Sequence, residues 1–128
     1  MTAETRVTTG PYKFAHDPTS GFTKANWLKF QRETFDEIIS LTKAKNSDYT
    51  GGTDDPFANF RMAEEIGMTA LHGLVLRMGD KWQRVKSYMA KGELAVKGEG
   101  IEDAFRDMIG YSVLALGLIE ESKKNGKH

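Results

Sequence analysis

The residues of this chain best able to do chemistry are acidic and basic side chains set three and four apart in two stretches of helical period. The first is Arg77-Met78-Gly79-Asp80-Lys81-Trp82-Gln83-Arg84, and the second runs from Glu99-Gly100-Ile101-Glu102-Asp103 to Asp107. Residues at those spacings are neighbours on a helix surface, so the heads of Arg77, Asp80, Lys81 and Arg84 can converge. Asp103 and Asp107 stand one turn apart, with Glu99 one turn before. Like charges so placed repel by about 0.2–0.5 kcal/mol in an isolated helix. Glu102 and Arg106 pair favourably at four residues but leave Asp103 and Asp107 without a partner inside the helix. Solvent, a basic neighbour or a cation must offset that repulsion.

Two arrangements follow if the helices pack antiparallel. In one, Lys81 and Arg84 neutralise the acids as interhelical salt bridges, and the charges are solvated surface. In the other, Asp80, Glu99, Asp103 and Asp107 form an all-oxygen metal site, which suits Mg²⁺, with Mn²⁺ as the alternative. Such an ion would hold phosphate oxygens and ready a water for attack on phosphorus. Lys81 and Arg84 beside it would bind the phosphate chain, Arg by its planar fork and Lys as a point charge.

A second cluster comprises Lys45, Asp48, Tyr49, Asn59, Phe60 and Arg61. Asn59 can read a base edge with its paired donor and acceptor, and Tyr49 or Phe60 can stack on a base. The plainer reading has Asn59 bonding a backbone group and Phe57 and Phe60 in the core. The three histidines lack a paired ligand spacing, and His72 reads as a hydrogen-bonded structural residue. With no cysteine, thiolate zinc sites, disulfides and cysteine nucleophiles are excluded. Gly51-Gly52 lacks the closing Gly-Lys-Ser/Thr of a phosphate-gripping loop.

A chain of 128 residues fits one domain with a single core. Its 18 basic and 18 acidic residues give zero formal net charge, which weighs against a nucleic-acid partner held by phosphate contacts. Met1 to Arg6 has no apolar signal core and no apolar run is long enough to cross a bilayer, so the expected setting is the cytoplasm, with no membrane partner.

The elements that must position these groups read as follows. Residues 1–22 form an irregular arm marked by Gly10, Pro11, Pro18 and Gly21, whose Tyr12, Phe14 and Phe22 can dock on the body or on a partner subunit. Thr23 caps a helix to about Lys45, with Trp27, Leu28, Phe35, Ile38 and Ile39 in its apolar series. A loop follows from Asn46 to Pro56. Asp55-Pro56 then starts a short helix that turns Phe57 and Phe60 inward and ends near Gly67. A third helix from about Thr69 to Ala90 or Lys91 buries the stripe Leu71, Leu74, Val75, Met78, Trp82, Val85 and Met89. After a glycine-marked connection, Gly92 to Gly100, the last helix runs from Ile101 to about Ser122 and buries Ile101, Phe105, Met108, Ile109, Leu116 and Ile119. The expected fold is all-α: an antiparallel bundle of about four helices spanning 23–128 as a single domain.

Taken in order, the motifs are Lys45-x-x-Asp48-Tyr49, Asp55-Pro56-Phe57-Ala58-Asn59-Phe60-Arg61, Arg77-x-x-Asp80-Lys81-x-x-Arg84 and Glu99-x-x-x-Asp103-x-x-x-Asp107-x-x-x-Tyr111. This set resembles the phage and bacterial nucleotide-modification-associated domain family, which looks like a distant relative of the all-α MazG-type nucleoside-triphosphate pyrophosphohydrolases. The resemblance implies a homodimer or higher homo-oligomer acting on nucleotides with Mg²⁺. By position, Asp80, Glu99, Asp103 and Asp107 would be catalytic metal ligands. Lys81 and Arg84 would hold phosphates, and Lys45, Asp48, Tyr49, Asn59, Arg61 and Tyr111 would complete the substrate side. The chain departs from the MazG pattern in two places: Arg77 stands where a second acid is usual, and Gly100 follows Glu99 in place of serine.

Overall fold

The computed structural model describes residues 11–49, 53–92 and 100–126, leaving aside the side chains of 46–49. Among these residues the chain forms three α-helices and one 3₁₀ helix, with no strand. Thr23 opens the first helix: its hydroxyl accepts a hydrogen bond from the Asn26 N–H at 3.1 Å, satisfying one of the amides that a helix start leaves open. This helix, α1, spans Lys24–Tyr49. It continues four residues past the expected end at Lys45, so the backbone of Asp48 and Tyr49 is helical rather than part of a loop. The reason is local, since no glycine or proline interrupts the chain until Gly51.

The expected short helix after Pro56 is replaced by turns and a 3₁₀ helix, Arg61–Ile66. The Asp55 carboxylate accepts from the Phe57 N–H at 3.0 Å, and the Phe57 carbonyl accepts from both Phe60 and Arg61, which winds the chain tightly. Gly67 then closes the segment with φ of 82°, leaving too few residues for an α-helix to propagate.

Thr69 is the cap of α2, Ala70–Lys91. Its hydroxyl accepts from the His72 N–H at 3.2 Å while the His72 ring accepts from the Thr69 N–H at 3.2 Å, a reciprocal box with histidine in the usual Glu position. The last helix, α3, spans Ile101–Asn125, with Glu102 and Asp103 in its first turn and Lys123 and Lys124 in its last, each favourable to the helix dipole.

α2 and α3 lie antiparallel. Leu74, near the start of α2, packs with Leu118, near the end of α3, in a cluster with Ala70 and Phe60. At the other end Val85 and Tyr88 pack with Ile101 and Ala104, and Tyr12 of the arm lies against them. The arm is tied there by the Tyr12 hydroxyl, which donates to Glu102 at 2.6 Å, whereas Phe14 and Phe22 remain exposed. The turn before the 3₁₀ helix seats on two glycines: a Cβ at Gly73 would stand 3.2 Å from the Phe60 carbonyl, and one at Gly117 would stand 3.0 Å from the Phe57 ring. α1 packs on α3, and Ile38 is its one buried residue among those described.

The core lies on a different side of the two long helices from the one the apolar spacing predicts. Leu74, Val85 and Ile101 are buried as expected, but Val75, Trp82 and Met89 on α2 and Phe105, Leu116 and Ile119 on α3 are exposed. Ala70 and Ala104 occupy the contact line instead, because small side chains let the helix axes approach closely. The apolar arc of each helix is wider than a single neighbour covers.

Leu74 is fully buried. Leu74→Ala is expected to lower the free energy of unfolding by about 2–5 kcal/mol in denaturant titration, against under about 0.5 kcal/mol for Ile66→Ala at an exposed site.

Candidate functional site

Three helices meet at one carboxylate. Asp107 of α3 receives the Lys45 ammonium of α1 on Oδ1 at 3.1 Å and the Lys81 ammonium of α2 on Oδ2 at 3.0 Å. The Asp107 side chain is 17% exposed and that of Lys81 is 22% exposed, so both charges are largely withdrawn from water. Burial pushes the Asp107 carboxyl up, but the hydrogen bonds and charges of Lys81 and Lys45 outweigh it and hold the group below its ordinary value of 3.8.

Beside this tie lies a hollow of about 350 Å³, within the range of small-molecule sites. Its polar wall carries Lys45, Lys81, Arg77, Arg106 and Asp107, and Asn59 brings an amide from the turn before the 3₁₀ helix. Its apolar wall is Ile38, Leu41, Phe60, Tyr111 and Leu114, with the Phe60 and Tyr111 rings edge to face at 6.2 Å. The lining thus holds four cations and one carboxylate. Arg106 is partly spoken for, by Glu37 at 3.1 Å and Asp103 at 3.3 Å. Among the described residues Arg77 has no carboxylate partner; its guanidinium lies 5.8 Å from the Phe60 ring centre.

Of the residues the sequence singles out, Lys45, Asn59, Lys81, Asp107 and Tyr111 therefore meet in one place. The others are placed elsewhere. Asp80 is exposed on α2, and Asp103 is exposed and held by Arg106 of its own helix. Arg84 is half-buried and does not line the hollow. Arg61 is committed to a structural tie: it bonds Asp55 and, at 3.0 Å, both oxygens of Glu121, and it faces a separate groove along α2 and α3. Its hydrogen bonds to Asp55 hold that carboxyl low despite partial burial. Glu99 lies outside the described residues, as do the side chains of Asp48 and Tyr49.

Arg77, Arg106 and Thr42 line the hollow without having been singled out as ligand groups. The signal for Arg77 was present, since it stands four residues before Lys81 and shares its helix side. Arg106 was hidden by its in-helix pairing with Glu102.

Among the described residues no three His, Asp or Glu side chains gather as a metal-holding group. The hollow's own donor set is one carboxylate already engaged by two ammonium groups, and hard divalent cations demand several free oxygens. That set fits an anion and does not fit Mg²⁺.

Residues 69–119 match the family model described as nucleotide modification associated domain 1. The match spans α2 and most of α3, including Arg77, Lys81, Arg106, Asp107 and Tyr111, while Lys45 and Asn59 lie outside it. No curated protein and no solved structure matches the chain. No described helix is long and apolar enough to cross a membrane.

Because folding lowers the Asp107 pKa, the tie contributes stability that is fully present above about pH 4 and is lost as the pH falls through the folded-state value. Asp107→Asn is therefore expected to flatten the acid limb: between about pH 5 and about pH 2.5 its unfolding free energy falls less than that of the unaltered protein. Parallel curves in urea titrations would refute the tie.

Proposed function

We propose that the hollow between α1, α2 and α3 binds a nucleotide by its phosphates. What carries this reading is the convergence of Lys45, Lys81, Arg77 and Arg106 on a single cavity whose opposite wall is apolar. The phosphate chain would lie against the cations, the base against Phe60, Leu114 and Leu41, and the Asn59 amide within reach of a base edge. In the protein alone, Asp107 stands between two lysines much as a phosphate oxygen would. A ligand then competes with that carboxylate or draws the lysines toward itself. Similarity to the nucleotide-modification family over α2 and α3 supports the substrate class.

The second reading is a MazG-like pyrophosphohydrolase using Mg²⁺ or Mn²⁺ at Asp80, Glu99, Asp103 and Asp107. The one-turn spacing of the last three favours it. Hydrolysis, metal dependence and a cytoplasmic setting belong to that reading.

The two separate cleanly in calorimetric titration with each dNTP. On the binding reading, a nucleotide binds in EDTA, and Lys81→Ala weakens it by roughly tenfold or more, the scale of one charge-assisted hydrogen bond. Asp107→Asn then binds at least as tightly, because it frees two lysines whose charge only the ligand can balance. On the hydrolytic reading, added Mg²⁺ yields pyrophosphate, and Asp107→Asn abolishes turnover. Absence of binding by every nucleotide, with and without metal, would sink both.

A further inference from the structure

The side of the α2–α3 pair away from the hollow carries a second apolar surface. At ~100° per residue, Val75, Trp82 and Met89 fall within about 40° of one another on α2. Going round α2 in one sense, the order is Arg77 at the hollow, then Leu74 and Val85 in the core, then this stripe. Around α3 the same sense gives Asp107 and Leu114 at the hollow, Ala104 in the core, then Phe105, Leu116 and Ile119. Since the two helices run antiparallel, equal senses of rotation lead to the same side of the pair, so all six side chains share one face. They are 53%, 51%, 53%, 48%, 66% and 43% exposed, in the order named.

Nothing described covers this face: among the described elements α2 contacts α3 and the 3₁₀ helix, and α3 contacts α2 and α1. The remaining segments of the chain (1–10, 50–52, 93–99 and 127–128) supply only Met1, Val7, Leu94 and Val96 as large apolar residues, too few for two helices' length. Six half-exposed large side chains present on the order of 600 Å², most of the ~800 Å² per partner that a stable association buries. None is charged, and Gly79 and Ser112 between them leave room for a facing helix.

We propose that a second copy of this chain covers this face. Two α2–α3 pairs would pack about a twofold axis as a four-helix layer, each copy burying the same stripe in the other. Trp82, at the middle of the α2 stripe, would be its anchor. The hollows lie on the outer sides and stay open, so this assembly does not depend on what they bind.

Light scattering on the full chain tests it. The expected mass of the unaltered protein is twice the 14.3 kDa of one chain. The double variant Trp82→Glu with Leu116→Glu should fall to a single chain with its helical circular dichroism retained. Phe30→Glu, in the exposed aromatic group on α1, should leave the pair intact. A Trp27→Phe protein leaves Trp82 as the sole indole, and acrylamide should quench it several-fold less than free tryptophan, a readout that needs no folded double variant. A single-chain mass for the unaltered protein overturns the proposal, even with Trp82 shielded, since the cover would then be a segment of the same chain. So does a multimer that survives the double variant, a pair lost in Phe30→Glu alone, or a Trp82 quenched like the free amino acid.

Discussion

A half-buried carboxylate between two ammonium groups constrains three helices at once. Lys45, Asp107 and Lys81 come from α1, α3 and α2, and no two of them share an element. Apolar packing fixes α2 against α3 without their help, through the clusters around Leu74 and around Val85. It does much less for α1, whose only buried residue among those described is Ile38. The polar contacts Lys45–Asp107 and Arg106–Glu37 therefore set how α1 lies on α3, and with it the depth of the hollow. Exposed pairs contribute about 0.2–1 kcal/mol, whereas breaking a fully buried one costs about 3–5 kcal/mol. With Asp107 mostly withdrawn from solvent and Lys45 about half exposed, this tie falls between those scales. That is strong enough to place a helix yet weak enough for a polyanion to compete with.

Local signals were well written in the sequence. The caps at Thr23 and Thr69, the stop at Gly92 and the start at Ile101 are each produced by a side chain or a glycine acting on its own few neighbours. Where those local rules ran out, so did the reading. α1 outlasted its expected end because nothing broke it, and the Asp55–Arg61 bond, six residues apart, wound the next segment too tightly for an α-helix. The side of a helix that becomes core was the least legible feature. Period identifies an apolar arc, but which part of the arc meets a neighbour depends on small residues such as Ala70 and Ala104, which hydrophobicity scarcely weighs.

The same limit governs the site. Lys45, Asn59, Lys81, Asp107 and Tyr111 are far apart in sequence, and their types and helical spacing were enough to nominate them. Asp103 and Asp107 look equivalent on spacing, yet one is exposed and paired within its helix while the other sits among cations from two more. Four residues advance a helix by ~40° beyond a full turn and by ~6 Å along its axis. Near the edge of an interface that step separates solvent from interior. Arg61 shows the converse, since a motif position that looks ready for a ligand is taken up by Asp55 and Glu121.

Charge balance then decides what the hollow favours. A divalent cation entering beside Asp107 would first have to separate the carboxylate from two lysines, and would remain near Arg77 and Arg106 as well. At ~4 Å and an effective dielectric of about 20, each like-charge contact of a doubly charged ion with one of these groups opposes entry by roughly 8 kcal/mol before screening. A phosphate meets the reverse situation: each cation it approaches is favourable, and only Asp107 opposes it. The apolar wall of Ile38, Leu41, Phe60 and Leu114 sharpens the asymmetry, because it keeps water from screening those charges. A site so built selects for negative charge joined to a flat apolar group. A nucleotide unites the two in one molecule.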